Sequence, residues 1–178
     1  RVIRLHPMVI IGSIIGALFF FFQKSPCFPN MDNISVGTVL IIMLYGCTLL
    51  PLPLKWDIRG WTEMHPLNGP AWSLYYEYIG NILYALFVRK FNKVALSILV
   101  FLAACATLHL CLTAPNGDIV GGWALNWEQQ YVGFVRLLYP FFAGLLLSRL
   151  GWLIRVKKRA FWWCSLMIVI VLSVPRIG

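Results

Sequence analysis

Apolar stretches close to the length of a bilayer crossing recur along this chain, and they set its class before any motif is weighed. Six can be read, over residues 5–22, 34–54, 70–88, 94–113, 128–150 and 160–174. A transmembrane helix needs about 20 predominantly apolar residues. None of the six alternates at period two, which argues against a β-barrel. The 178 residues are 60% hydrophobic and 12% charged, where a soluble domain carries roughly 25% charged residues. The expected fold class is therefore all-α: a polytopic transmembrane bundle of about six hydrophobic helices, with the lipid bilayer as its first partner.

The formal net charge is +9. Lys and Arg stand at the ends of the apolar runs, where they anchor spans, and no basic stripe is interleaved with polar residues. Nucleic acid is thus not an expected partner. Trp56, Trp61, Trp72, Trp123 and Trp127 gather at two polar linkers, as an interfacial aromatic belt does. The second linker carries Gly121-Gly122, which lacks the strand and the Lys-Ser/Thr of a phosphate loop. The five cysteines show no CxxC and no metal-ligand spacing, and read as small core residues. Strict alternation of six spans would put Arg1, Arg4, Lys55, Arg59 and Arg176 on one face. The larger basic set, centred on Arg89, Lys90, Lys93, Arg149 and residues 155–159, would fall on the other, cytoplasmic face.

Ionisable residues inside the apolar runs are the chemical signal. Pro70 suits a first helical position, with Asn68 or Gly69 as the cap. Ser73, Glu77, Asn81 and Tyr84 then form one polar stripe on a helix. Gln129, Gly133, Arg136 and Pro140 share a face of the fifth segment. Both segments start from the same side, so Glu77 and Arg136 sit at similar depth. A charge there costs at least about 2.5–3.5 kcal/mol unless it is paired or faces water. The two are expected to face one cavity. A structural ion pair, an arginine snorkelling to the interface and a functional site are all compatible with that.

Arg1 and Arg4, at i and i+3, share a face and suit a phosphate or pyrophosphate at the membrane surface; headgroup anchoring would use them equally well. Of His6, His65 and His109, His65 with Glu63 nearby is best placed for general-base work. No GxSxG elbow occurs.

Several stretches together resemble the membrane-bound acyltransferase family 3, whose multi-span members O-acylate sugars of surface glycans. "RVIRLHP" is similar to the family's R-x-x-R-hydrophobic-x-P helix opening. "NGPAWSLYYEY" is similar to its W-S-L-x-x-E motif, and "GFVRLLYPFFAGLLLSRL" to its G-F-x-R stretch. The three come in the family's order. The resemblance implies a fold of roughly ten helices, of which residues 1–178 would be a single transmembrane acyltransferase domain incomplete at both ends. It implies a multi-pass protein of the inner (plasma) membrane. It implies transfer of an acyl group, often acetyl, from acyl-CoA to a hydroxyl of a glycan, with no bound cofactor. By position, Arg1 and Arg4 would be the paired arginines near the donor. Trp72, Ser73 and Glu77 would be the W-S-L-x-x-E residues, with Glu77 in a catalytic role, and Arg136 would bind substrate.

Departures from the pattern are plain. The helix expected to carry the family's catalytic histidine would lie before Arg1. Tyr76 and Tyr78 flank Glu77, and His6 stands where Tyr is common. The family's arginine pair is expected in the cytoplasm, which strict alternation contradicts. Re-entry of the second apolar segment, its "PLPL" end buried in protein, would reconcile the two. The rival reading is a transporter subunit with Glu77 and Arg136 lining a substrate or proton path, although the chain shows no clear internal repeat.

Overall fold

In a computed structural model, residues 2–22, 34–114, 118–151 and 160–173 are described. They form six α-helices and, among the described residues, no strand: α1 (Val2–Phe22), α2 (Val36–Cys47), α3 (Ala71–Leu86), α4 (Lys93–Thr113), α5 (Trp127–Leu150) and α6 (Ala160–Ser173). The helices start where the chain supplies caps. Ser35 Oγ accepts from the Thr38 N–H, Asn92 Oδ1 from Ala95 and Asn126 Oδ1 from Gln129. Gly151, in the left-handed region at φ 71°, closes α5. Helices α1, α4 and α5 are each long and apolar enough to cross a membrane, and their outer faces are lined by exposed Ile, Leu and Phe. This is a membrane helical bundle, as the hydropathy pattern requires.

One expected element differs. The apolar run 34–54 yields only the twelve residues of α2, about 18 Å of helix, too short for a hydrocarbon core of ~30 Å. Pro51 disfavours helical geometry at Leu50, and Leu49 turns the backbone through φ 61°. The Thr48 hydroxyl closes the end on the Tyr45 carbonyl. The chain then doubles back, so that Lys55–Ile58 line a cleft together with Ile34, Thr38 and Ile41 at the start of α2. Leu52, Ile58 and Leu67 pack in one core cluster with Ala17 and Phe20 of α1 and Val39 and Ile42 of α2. Helix α2 and its return form a hairpin whose two ends lie at the same level.

The return segment is pressed against α1. A Cβ on Gly16 would collide with the Leu67 carbonyl, and one on Gly12 with the Asn68 side chain. Asp57 organises the turn by accepting from the N–H groups of Arg59, Gly60 and Thr62. Arg59 pairs with Glu63 at 3.0 Å and also donates to the Pro66 carbonyl. The second linker docks on the first: Met64 N–H donates to the Trp123 carbonyl at 2.7 Å, and Glu63 and Ala124 form an antiparallel bridge. The two linkers together cap the end of the bundle where α3 and α5 begin.

Beyond the cap, α3 and α5 run parallel, with Tyr76 opposite Gly133 and Gly80 opposite Leu137. Helix α4 runs antiparallel to α5, burying Leu96 and Phe142 in one cluster with Val88. Arg149 ties off the far end through the carbonyls of Val88, Arg89 and Phe91. None of the described residues of α6 is buried.

Candidate active-site cleft

The cleft follows from one close helix approach. A Cβ on Gly133 would fall inside the Tyr76 ring, so only glycine lets α5 come this near to α3. Tyr76 fills the gap, 2% exposed, edge-on to Trp72 and Phe134 at 6.2 and 5.3 Å. With the helices locked there, the residues one step round each helix line an open cleft of about 410 Å³: Trp72, Ser73 and Glu77 from α3, Arg136 and Pro140 from α5. Four residues singled out in the sequence, Trp72, Ser73, Glu77 and Arg136, thus share one cavity.

Arg136 is held from two sides. Its Cζ lies 4.8 Å from the centre of the Trp72 ring, a cation–π contact. Its Nη1 donates to the Gly121 carbonyl at 2.9 Å. The Gly122 N–H is held in turn by Gln129 Oε1 at 2.6 Å. The Glu77 carboxylate is half-buried in the opposite wall, and among the described residues it makes no ion pair with Arg136. The depth and the shared cavity are as the spacing suggested, while a direct structural pair is not formed. Ser73 Oγ donates to the Pro70 carbonyl at 2.9 Å, which leaves its lone pairs turned outward. Asn81 belongs to the same polar stripe but turns back on its own helix. Its side chain donates back to the Glu77 carbonyl at 2.7 Å and does not line the cleft.

Arg4 lies outside the cleft, exposed near the start of α1; Arg1 falls outside the described residues. Two residues from Arg4, His6 Nδ1 meets the Tyr78 hydroxyl at 3.2 Å, so this end of α1 leans on α3 beside Glu77. His65, the best histidine by sequence, is elsewhere. It is 4% exposed, packed near Tyr75, and lines a small separate cavity with Ser13 and Asn68. Burial drives its pKa down to about 4, so the ring is neutral.

Tyr76, Gly133 (on the Arg136 face by spacing) and the Gly121-Gly122 pair are parts of the site whose roles the sequence pattern does not mark. A glycine facing an aromatic at matching depth was the available signal for the first two. The diglycine is visible in the sequence, but its surroundings there speak only against a phosphate loop.

The membrane helical bundle thus lines one cleft with a carboxylate and a guanidinium that, among the described residues, form no ion pair. The acyltransferase family 3 model, described as an acyltransferase domain, matches residues 1–178, and the chain belongs to that family. Nothing matches it among curated proteins or among solved structures.

Proposed function

We propose that the chain is the central part of a membrane O-acyltransferase that moves an acyl group, acetyl in the simplest case, from acyl-CoA to a hydroxyl of a carbohydrate in a surface glycan. The observation that carries this reading is the open cleft between Glu77 and Arg136. A pair kept only for helix packing would close on itself, because each unpaired ion at depth is costly. A gap lined by Ser73 and Trp72 leaves room for a reacting group between the two charges.

Acyl transfer needs a base for the acceptor hydroxyl, cations for the donor's phosphates, and hydrogen-bond donors for the oxyanion at the acyl carbon. In this reading Glu77 binds or orients the acceptor hydroxyl, or the base acting on it. Arg136 faces the developing oxyanion, and Arg1 and Arg4 hold the CoA phosphates. The hairpin of α2 supports the sidedness this requires. With that segment returning to the end it left, Arg4, Arg89, Lys90, Lys93 and Arg149 share one side, and Lys55 and Arg59 the other. The positive-inside rule then puts Arg4 in the cytoplasm of an inner-membrane protein, where acyl-CoA is found.

The test is acetyl transfer from radiolabelled acetyl-CoA in membranes holding the full-length parent, comparing wild type with Arg4→Ala and Glu77→Gln at matched expression. Loss in both variants is expected. Unchanged transfer in both returns these residues to structural roles. A wild type that transfers nothing from short or long acyl-CoAs moves a transport path through Glu77 and Arg136 ahead.

A further inference from the structure

We propose that Gln129 is a positioning residue that aims Arg136 by holding a single peptide plane, the one joining Gly121 to Gly122. The proposal rests on the acyl-transfer reading of the cleft.

The two hydrogen bonds around Arg136 meet on one amide. The Gly121 carbonyl that accepts from Arg136 Nη1 and the Gly122 N–H that donates to Gln129 Oε1 are the two ends of the same peptide group. That group is planar, with its C=O and N–H pointing in opposite directions. Fixing one end therefore fixes the other. At 2.6 Å the Gln129 bond is the shorter of the two. Bonds in such a chain polarise one another, so the grip on the N–H also strengthens the carbonyl as an acceptor.

A latch is needed because this plane is free to turn. Rotating a peptide changes ψ of the residue before it and φ of the residue after it, and both are glycine here. They sit at φ 139° and 106°, where no other residue rests comfortably. Side chains are also excluded by space. A Cβ on Gly121 would meet Gln129 Oε1 at 2.7 Å, and one on Gly122 would meet the Trp72 ring at 2.9 Å. The diglycine that lets the linker approach Trp72 and Arg136 is thus a swivel, and Gln129 stops it. Gln129 and Arg136 are seven residues apart on α5 and so lie on one face of it. The result is a closed loop: helix, glutamine, peptide, arginine, helix.

A guanidinium has five N–H donors. Among the described residues Arg136 uses one of them, on Gly121, while one face of its plane rests on Trp72. The rest are left for an oxygen of the acyl group or its oxyanion in the cleft, and the direction of that fork is what the latch sets.

The experiment uses the full-length parent in lipid nanodiscs. Gln129→Met keeps the length and loses the acceptor; Gln129→Glu keeps an acceptor oxygen. Gln129→Met is expected to lower kcat for acyl transfer roughly 10–100-fold, the scale of a small misplacement, with the KM for acyl-CoA nearly unchanged. Gln129→Glu is expected to recover most of the loss. Placed on Arg136→Lys, Gln129→Met should add little, because both act through one contact. Wild-type kcat in Gln129→Met, or full additivity with Arg136→Lys, overturns the positioning role while leaving the acyltransferase reading intact. An inactive wild type overturns the acyltransferase reading instead. A structure of Gln129→Met gives a readout independent of activity: the Gly121 carbonyl turned away from Arg136 supports the latch, and an unmoved plane refutes it.

Discussion

Lowering the pH should destabilise this protein through His65, and the size of the effect follows from its surroundings. The imidazole is 4% exposed and, among the described residues, its Nε2 has no hydrogen-bond partner. The cavity beside it offers about 10 Å³, room for at most one water. A proton added there would bring a charge with almost no solvation, which is why burial lowers the pKa from 6.5 to about 4. Above pH 6.5 the ring is neutral in the folded and unfolded states and adds nothing to the pH dependence. Between 6.5 and 4 the unfolded chain binds the proton and the folded chain does not, so stability falls as pH falls. The loss is about 2 kcal/mol at pH 5 and about 3 kcal/mol once pH is below 4. Glu63 acts in the opposite direction. Burial raises its pKa, with Arg59 opposing the rise, so its protonation favours the folded state. Comparing wild type with His65→Gln cancels that shared contribution. The assay is thermal unfolding of the detergent-solubilised parent between pH 7.5 and 5. Wild type should lose about 4–8 °C more than the variant over that range. Superimposable pH profiles would show that His65 protonates without penalty in the fold and would refute the reasoning.

Two further outcomes are expected. Gly133→Ala forces its methyl into the Tyr76 ring, so the variant should lose about 1–3 kcal/mol to overpacking and show a lower melting temperature; Gly144→Ala, open to space on the same helix, is the control and should be neutral or slightly stabilising. In a cysteine-free parent, Arg4→Cys and Lys55→Cys should label from opposite sides of the membrane, Arg4 from the cytoplasm and Lys55 from outside; labelling of both from one side, as six alternating spans would give, contradicts the hairpin reading of α2.

Much of this architecture was legible because bilayer solvation writes directly into sequence. The bounds of α4 and α5 fall within a residue or so of the apolar runs, since Asn92, Asn126 and Gly151 mark their ends chemically. The common depth of Glu77 and Arg136 followed from helix rise alone, and Trp72, Ser73, Glu77 and Arg136 do line one cleft. The run 34–54 reads as a span by length, because hydropathy counts apolar residues and not backbone direction, and the structure matches the re-entry alternative instead. Leu49, Leu50 and Leu52 are as apolar as any span, yet Leu49 and Leu52 are buried against protein after the chain has turned. The "PLPL" stretch is the local hint of that turn. The Gly121-Gly122 contact with Arg136 was out of reach for another reason. It joins residues that are distant along the chain through a backbone carbonyl, which leaves no side-chain signature.

The parallel pairing of α3 with α5 also sets a timetable. Parallel neighbours cannot be joined by a tight turn, and here α4 and a linker must come between them. Glu77 leaves the ribosome 59 residues ahead of Arg136, roughly 3–12 s at ordinary rates of synthesis. Through that interval α3 holds a carboxylate, a serine and a bulky tyrosine without Gly133 to receive them. The site is therefore absent from the young chain. It appears late and all at once, when α5 enters the bilayer and the second linker closes on the first.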